Sequence, residues 1–150
     1  MPLQESFFII KPDGMNHQPE IRAAICDKGL WITRYVIRKI MAEEISLQYE
    51  DYINEPFFPY AVDFLTSAPV GLGVAMGNEA IASVRALAGA TRPWQAEADT
   101  IRARFGTTRS QEEADLERGN IKNAIHASDS PKSVIREAGI YLPDYKITTF

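Results

Sequence analysis

The amino-acid sequence predicts an α+β protein with the element order β-α-β-β-α-β, the ferredoxin-like arrangement of a four-stranded antiparallel sheet covered by helices on one face. Short runs of β-branched and aromatic residues alternate with segments whose apolar residues recur every three or four positions. Glycine or proline separates most of these segments. The chain has 150 residues, 45% of them hydrophobic, which predicts one domain over residues 1–150.

Four segments have the composition of strands. The first, SFFIIK, stops at Pro12-Asp13-Gly14, which is a tight-turn sequence. The second, WITRYVIRKIM, is dense in β-branched and aromatic residues, and the third, PVGLGVAM, has glycines that indicate close approach by another backbone. The predicted strands are residues 6–11, 31–41, 69–76 and 121–126.

Helical spacing and capping signals predict the helices. Pro19 and Gly29 bracket the first helix, and Asn78 is the candidate N-cap of the fourth. Ser130 is expected to cap the last helix, which Gly139 follows. The predicted helices are residues 19–28, 43–51, 56–67, 78–87, 100–105 and 131–138.

Two stretches depart from the simple order of elements. Residues 43–67 place two helices between the second and third strands, where the simple arrangement has a hairpin. Residues 106–120, GTTRSQEEADLERGN, are polar and charged, and we expect an exposed excursion with one helical turn in its middle.

Charge and cysteine content limit the function classes. Lys and Arg number 16 and Asp and Glu number 20, a net charge of -4 that disfavours general binding to nucleic acid or to an anionic membrane. No run is long enough to span a bilayer, and the N-terminus lacks a signal-peptide pattern. The single cysteine, Cys26, fits a reducing cytoplasmic compartment, and we expect it to be buried on a helix.

Five residues have side chains suited to phosphate binding. Lys11 ends a strand at a turn, where its ammonium can meet a phosphate. Arg85 and Arg102 lie on separate elements and can converge on a polyphosphate through their planar donor groups. Thr91 offers a hydroxyl and Asn123 an amide. Taken one at a time, the lysine and the arginines are better explained as solvated surface charges.

His126 lies between a predicted strand and the cap of a predicted helix. A neutral imidazole is a competent nucleophile toward phosphorus near pH 7, because its ordinary pKa is about 6.5. It needs one free ring nitrogen and an acceptor for the other, and Glu137 in the following helix is a candidate acceptor. The residue types alone favour a structural histidine here. His17 has no supporting pattern and is expected in a loop.

Tyr49 and Phe57 flank the segment between the second and third predicted helices. A phenol can reach a phosphate and an exposed phenylalanine can stack on a nucleobase, although core packing explains either residue alone. No histidine or cysteine pair has the spacing of a metal site, so no protein ligand to a metal is predicted. A Mg²⁺ ion held mainly by substrate phosphates would leave no such pattern.

Taken together, these segments resemble the nucleoside diphosphate kinase family. The resemblance extends over residues 5–142 and is carried, in order, by FFIIKPDG, EPFFPYAVDFLTSAPV, VRALAGATRP, DTIRARFG and NAIHASDSPKSVIRE. It implies a ping-pong reaction that moves the γ-phosphate of ATP or another nucleoside triphosphate to a histidine and then to a nucleoside diphosphate. It also implies Mg²⁺ as cofactor, a cytoplasmic location and a homo-oligomer.

The resemblance assigns roles residue by residue. His126 is the implied phosphorylated nucleophile, acting through Nδ1, with Glu137 orienting its ring and Ser128 close to that glutamate. The other implied contacts are Lys11 and Tyr49 at the transferring phosphate, Arg85, Thr91 and Arg102 at the distal phosphates, Asn123 at the sugar and phosphate side, and Phe57 against the base. Stacking as the main base contact predicts low base selectivity.

Several departures from the family pattern bear on these implications. The loop after Gly14 is shorter, RPWQAEADTIR lacks Pro-Gly before Thr-Ile-Arg, and residues 106–120 are longer than the common form. Dimer, tetramer and hexamer are therefore alternatives. The alternative function is a non-catalytic nucleotide- or partner-binding relative that uses residues 106–120 as its interface. Presence of the whole implied set of site residues favours the enzyme, and the acidic charge disfavours an RNA-binding domain.

Overall fold

The computed structural model describes residues 3–150. Within them, the strands are β1 (Leu3–Ile10), β2 (Trp31–Arg38), β3 (Val70–Asn78) and β4 (Ile125–Ala127). The α-helices are α1 (Gln18–Asp27), α2 (Ala42–Gln48), α3 (Phe58–Leu65), α4 (Ala80–Ala88), α5 (Ile101–Phe105), α6 (Gln111–Leu116) and α7 (Pro131–Tyr141). Short 3-10 turns cover Pro12–His17, Glu50–Tyr52 and Pro93–Gln95. No helix in the described part of the chain combines the length and the apolar character needed to cross a membrane.

The four strands form one sheet in the order β2-β3-β1-β4, and each neighbouring pair is antiparallel. This confirms the predicted α+β, ferredoxin-like fold, in which the last strand lies beside the first. The two helices α2 and α3 lie between β2 and β3, as the sequence predicted. β4 has one neighbour, β1, and so forms an edge of the sheet.

Helices cover both faces of the sheet, so the expectation that they lie on one face is wrong. Successive side chains of a strand point to opposite faces. In β1, Phe7 and Ile9 pack with buried residues of α2, α3 and α7, whereas Phe8 and Ile10 pack with buried residues of α1 and α4. The continuous apolar run of β1 is the sequence signal for burial on both faces.

Two element boundaries differ from the prediction because of left-handed backbone conformations. Ala124 has a φ of 72°, which interrupts the extended backbone, and the strand predicted at residues 121–126 pairs with β1 through Ile125–Ala127. Asn78 is not the N-cap of α4, because it ends β3. Glu79, with a φ of 51°, occupies the N-cap position.

The last helix begins as predicted and ends later. The Ser130 hydroxyl accepts a hydrogen bond from the Ser133 backbone N–H at 3.1 Å, which caps α7. Gly139 does not end this helix, which continues to Tyr141. A Cβ on Gly139 would meet no atom within 4 Å, so packing requires no glycine there.

Two side chains near α1 also differ from their expected environments. Cys26 is exposed, since the buried face of α1 is formed by Ile21 and Ile25. His17 ends the 3-10 turn Pro12–His17 and stacks on Phe105, with 4.6 Å between the ring centres. It therefore lies in a defined turn rather than in an irregular loop.

The excursion at residues 106–120 contains α6, which Ser110 caps. Its C-terminal end packs against α3: the Arg118 guanidinium lies 5.8 Å from the centre of the Tyr60 ring. Just beyond it, the Lys122 ammonium lies 5.2 Å from the centre of the Phe64 ring. Such cation–aromatic contacts hold the end of the excursion beside α3, which begins directly after Phe57, the residue predicted to contact the base.

Candidate active site

The centre of the candidate site is His126, the middle residue of β4. It lies opposite Ile9 in the register between β4 and β1. The carbonyl groups on either side of it receive hydrogen bonds from arginine side chains. Arg102 Nε and Nη2 donate to the Ile125 oxygen at 3.2 and 3.0 Å, and Arg85 Nη1 donates to the Ala127 oxygen at 2.9 Å. Both predicted arginines therefore fix the edge strand and place positive charge on either side of the histidine.

The two arginines differ in burial. Arg102 is 8% exposed and makes a further hydrogen bond from Nη1 to the Gly89 oxygen at 2.9 Å. Burial, together with the nearby charge of Arg85, lowers the pKa of Arg102 to about 10. Arg85 is exposed at the rim of the site. Arg102 therefore mainly holds the backbone around β4 in place, whereas the exposed Arg85 has more N–H groups available to a ligand.

The turn after β1 packs closely against the loop before β4. The Lys11 backbone N–H donates to the Ala124 oxygen at 2.8 Å, and Asp13 Oδ2 accepts from the Ala124 N–H at 3.0 Å. A Cβ on Gly14 would lie 2.6 Å from the Ala124 oxygen, so this position requires glycine. The sequence Lys-Pro-Asp-Gly therefore holds Ala124 in its left-handed conformation and sets the start of β4.

The Lys11 ammonium lies in a chain of polar contacts. Its Nζ donates to Asn123 Oδ1 at 2.9 Å, and Asn123 Nδ2 donates to the Thr91 backbone oxygen at 2.9 Å. Burial, with a contribution from the charge of Arg102, lowers the pKa of Lys11 to about 8. The lysine is therefore largely protonated at pH 7, and its charge together with that of Arg102 favours an incoming anion, although the nearby Asp13 carboxylate offsets part of it.

The His126 ring is held through one nitrogen. Its Nε2 lies 2.6 Å from Glu137 Oε1, and the Ser128 hydroxyl donates to the same oxygen at 2.7 Å. An ionised carboxylate accepts hydrogen bonds only, so this contact places the ring proton on Nε2. Among residues 3–150, none hydrogen-bonds to Nδ1. The lone pair of Nδ1 is therefore available, as nucleophilic attack from that nitrogen requires.

A second polar side chain reaches the same ring, and the sequence did not predict it. The amide of Gln48 is buried, with Nε2 at 3.1 Å from His126 Nε2, and it accepts a hydrogen bond from the Tyr141 hydroxyl at 2.6 Å. Arg136 Nη2 donates to the Gln48 backbone oxygen at 2.7 Å. Gln48 ends α2 directly before Tyr49 and has no motif of its own, so no sequence signal distinguishes it.

Tyr49 lies edge-on to the histidine, with 6.4 Å between the ring centres and an angle of 72° between the planes. Burial and the nearby Glu137 raise the pKa of the Tyr49 hydroxyl well above its usual range. The phenol therefore keeps its proton and can act as a hydrogen-bond donor to an anion.

A cavity of about 280 Å³ opens beside these residues. Lys11, Asn123 and Thr91, which are joined by hydrogen bonds, form its polar end, and side chains of α3 form its apolar end. The lining residues are Lys11, Tyr49, Phe57, Phe58, Ala61, Phe64, Leu65, Thr91, Gly119, Asn120, Ile121 and Asn123. A larger open groove of about 790 Å³, between α1 and β2, contains none of the predicted site residues.

The structure places the predicted residues in two groups. Those that line the cavity are Lys11, Tyr49, Phe57, Thr91 and Asn123, and those that are linked to one another through β4 but do not line the cavity are Arg85, Arg102, His126 and Glu137. Asp13 and Gln48 were missed. Asp13 stands inside the quoted Lys-Pro-Asp-Gly motif, which was its only signal. In residues 3–150, no group of three or more His, Cys, Asp or Glu side chains is placed to hold a metal ion.

Comparison with known proteins points to one family. A family model described as nucleoside diphosphate kinase matches residues 4–147. A protein of that name from Corynebacterium jeikeium is 38% identical over 94% of this chain and 98% of its own length. Another, from Streptococcus agalactiae, is 36% identical over 93% of this chain and 98% of its own length.

Solved structures agree with the sequence matches. A nucleoside diphosphate kinase from Borrelia burgdorferi, described as a transition state mimic with bound vanadate and ADP, is similar with a TM-score of 0.87 and 28% identity. That match covers 100% of this chain and 93% of the other. The Aquifex aeolicus nucleoside diphosphate kinase gives a TM-score of 0.81 and 30% identity, covering 97% of this chain and 99% of the other.

Proposed function

The chain belongs to the nucleoside diphosphate kinase family, and we propose that it transfers the γ-phosphate of ATP or another nucleoside triphosphate to a nucleoside diphosphate through a phosphohistidine at His126. The observation that carries this proposal is the state of the His126 ring. Nε2 lies 2.6 Å from Glu137 Oε1, no residue of the described chain hydrogen-bonds to Nδ1, and Arg85 and Arg102 bind the backbone carbonyls on either side of the histidine. The family match over residues 4–147 supports a single catalytic domain that spans the chain.

In the first half-reaction, the Nδ1 lone pair of His126 attacks the γ-phosphorus. The bond between that phosphorus and the bridging oxygen breaks, and its electron pair leaves with the nucleoside diphosphate. The phosphorylated ring keeps its proton on Nε2 and becomes more positive, and Glu137 stabilises that charge through the 2.6 Å contact. In the second half-reaction an oxygen of another nucleoside diphosphate attacks the same phosphorus, and the electron pair returns to Nδ1.

Catalysis of this transfer depends mainly on positioning and on charge stabilisation. We assign Lys11 to the transferring phosphoryl group, because its side chain lines the cavity and its ammonium lies beside Asn123. We assign Arg85 and Arg102 to the distal phosphates, Arg85 through its exposed N–H groups and Arg102 through the positive charge that it holds beside the Ile125 carbonyl. The hydroxyl of Tyr49 stays protonated and can donate to a phosphate oxygen.

Thr91 and Asn123 are linked through the Asn123 amide at the same polar end of the cavity. We assign them to the distal phosphates and to the sugar side of the nucleotide, respectively. At the other end, Phe57 offers a ring face to the base. Stacking on a ring accepts every base, because each base has a π-face, so we expect ADP, GDP, CDP and UDP all to act as acceptors.

The proposal includes Mg²⁺, bound with the nucleotide. The donor set fits this arrangement, because the cavity presents cationic and amide groups and no cluster of carboxylates that would hold the ion without phosphate. When bound, the ion would neutralise phosphate charge. The protein's own side chains would bind and align the phosphates around it.

A cytoplasmic homo-oligomer completes the proposal. The single cysteine supports a reducing compartment. Exposed apolar side chains on the edge strand β2, Trp31 and Ile37, support contact with a second copy. Sedimentation of the purified chain measures the number of subunits, and a monomer would contradict this part of the proposal.

Labelling with γ-³²P ATP tests the proposed activity. In the presence of Mg²⁺, the protein should acquire a label that is stable to base and labile to acid, and ADP should remove it. His126→Gln should abolish the label, a loss of roughly a thousandfold or more, because the nucleophile is gone. His17→Gln, the matched control, should label normally. An unlabelled parent protein would instead support the non-catalytic, nucleotide-binding alternative.

A further inference from the structure

We infer that Gln48 is a positioning residue that directs an amide N–H at Nε2 of His126 and thereby opposes the build-up of positive charge on that ring. Its importance rests on the proposed function, because a doubly protonated ring has no lone pair on Nδ1 and cannot attack phosphorus. The inference concerns the protein before any nucleotide binds.

The orientation of the Gln48 amide follows from its second neighbour, Tyr141. The Tyr141 ring is buried and stacks on Phe7, with 5.8 Å between the ring centres. Burial raises the pKa of its hydroxyl well above the usual range, so the hydroxyl keeps its proton, and within residues 3–150 its one acceptor is Gln48 Oε1. The 2.6 Å contact has the length of an O–H···O bond and is short for N–H···O. The amide oxygen therefore faces the tyrosine, and the amide NH2 group faces the histidine.

Two groups of opposite hydrogen-bonding character meet at His126 Nε2. Glu137 Oε1, at 2.6 Å, accepts a proton, whereas Gln48 Nε2, at 3.1 Å, offers one. A ring nitrogen carries either a proton or a lone pair in its plane. The bond to the charged carboxylate is the stronger, so the neutral ring keeps its proton on Nε2 and its lone pair on Nδ1. The amide N–H then faces another N–H, and the repulsion between them increases when the ring becomes positive.

Other charged groups around the ring act in both directions. The charged and titratable side chains that contact the ring, its strand or the residues next to them are Lys11, Tyr49, Arg85, Arg102, Arg136 and Glu137. The cationic side chains disfavour a positive ring and the Tyr49 phenol is neutral, whereas Glu137 favours a positive ring by attraction. The carboxylate that fixes the ring thus also tends to charge it, and Gln48 reduces that tendency at the same nitrogen.

Titration of the ring, followed by NMR, tests the inference. With ¹⁵N in the histidine rings and no nucleotide present, His126 should become half-charged in Gln48→Leu at a pH about half a unit above that of the parent, a loss of roughly threefold in neutral ring at lower pH. The ring of His17, seen in the same spectra, is the internal control. Gln95→Leu, a change of an exposed glutamine, should move neither ring. An unmoved or lowered His126 titration in Gln48→Leu would overturn the inference.

Tyr141→Phe tests the orientation of the amide without changing Gln48, and it keeps the ring that stacks on Phe7. Without the hydroxyl, a half turn of the amide can present Oε1 to the N–H of the histidine ring. The half-charged state of His126 should therefore move upward by at least as much as in Gln48→Leu. An unmoved titration in Tyr141→Phe would contradict the inferred orientation and overturn the inference.

The rate of phosphorylation by ATP separates this role from a merely structural one. In both variants the single-turnover rate, divided by the parent's rate at the same pH, should fall about threefold near pH 6 and change by less than about twofold near pH 8.5, where the ring is neutral. An equal loss at both pH values would assign a structural role and overturn the inference. The NMR titration needs no turnover, so its outcome is independent of the labelling test of the proposed function.

Discussion

The two histidines of the chain make a natural comparison, because each contacts a glutamate and only one of them lies in a site. His17 Nδ1 is 3.0 Å from Glu20 Oε2, and the two side chains are 45% and 51% exposed. His126 Nε2 is 2.6 Å from Glu137 Oε1, and these side chains are 18% and 7% exposed. Both contacts join a histidine to a glutamate, but the His126 contact is mostly buried and the His17 contact is exposed.

The surroundings differ further. The carboxylate that holds His126 also accepts from Ser128, so its position is fixed by two donors. Arginine side chains bind the carbonyls on both sides of His126. His17 instead stacks on Phe105 at the surface. Burial, a second donor to the carboxylate and nearby positive charge thus distinguish the proposed catalytic histidine from a histidine–glutamate contact at the surface.

The largest effect expected within this comparison comes from removing positive charge near His126. Lys11→Met should lower kcat/KM for phosphoryl transfer about a hundredfold, because one electrostatic contact to the transferring group is lost. Lys28→Met is the control: Lys28 is exposed at the end of the helix that follows His17, and its loss should change little. Equal effects of the two substitutions would contradict a specific role for Lys11.

The pH dependence of nucleotide binding should report the same lysine. The pKa of Lys11 in the free protein is about 8, below its ordinary value because of burial, so the ammonium is present below that pH and is lost above it. ADP affinity should therefore be nearly constant from pH 6.5 to 7.5 and fall above about pH 8, with proton uptake on binding in that range. Calorimetry in buffers of different ionisation enthalpy measures that uptake. Lys11→Met should abolish it, and persistent uptake in the variant would assign the titration to another group.

A smaller effect is expected from removing the charge of the glutamate that contacts each histidine ring. Glu137→Gln keeps the shape and an acceptor oxygen but removes the charge, and it should slow phosphorylation of His126 by about tenfold. Glu20→Gln, the corresponding change beside His17, should leave the rate unaltered. Single-turnover labelling by ATP measures both rates. A normal rate in Glu137→Gln would show that the ring needs no carboxylate partner.

The sequence was sufficient for most of the fold, because its signals are local. The apolar runs of β1 and β3 and the Ser130 cap each act within a few residues. β4 was predicted too long because the left-handed conformation of Ala124 is imposed by Lys11 and Asp13, which lie more than 100 positions earlier. The continuous apolar run of β1 indicates burial on both faces of the sheet. The prediction of helices on one face followed instead from the antiparallel arrangement, in which one face is commonly exposed to solvent.

The site residues were found by motif, while their partners required the three-dimensional structure. A sequence does not reveal that Arg102 binds the Ile125 carbonyl, since backbone acceptors carry no residue signature. Gln48 is a single polar residue without a motif, and its contact with the His126 ring becomes visible only in the three-dimensional structure. Resemblance to a family is least informative in residues 106–120, where this chain is longer than the common form.

The position of the phosphoryl group on His126 tests the central claim most directly. The protein, labelled with ¹⁵N in its histidine rings, can be phosphorylated by ATP and studied by NMR through coupling between ³¹P and the ring nitrogens. We expect coupling to Nδ1 of His126, with the proton on Nε2 and with His17 unmodified. Phosphorus on Nε2 of His126, on His17 or on another residue would contradict the account.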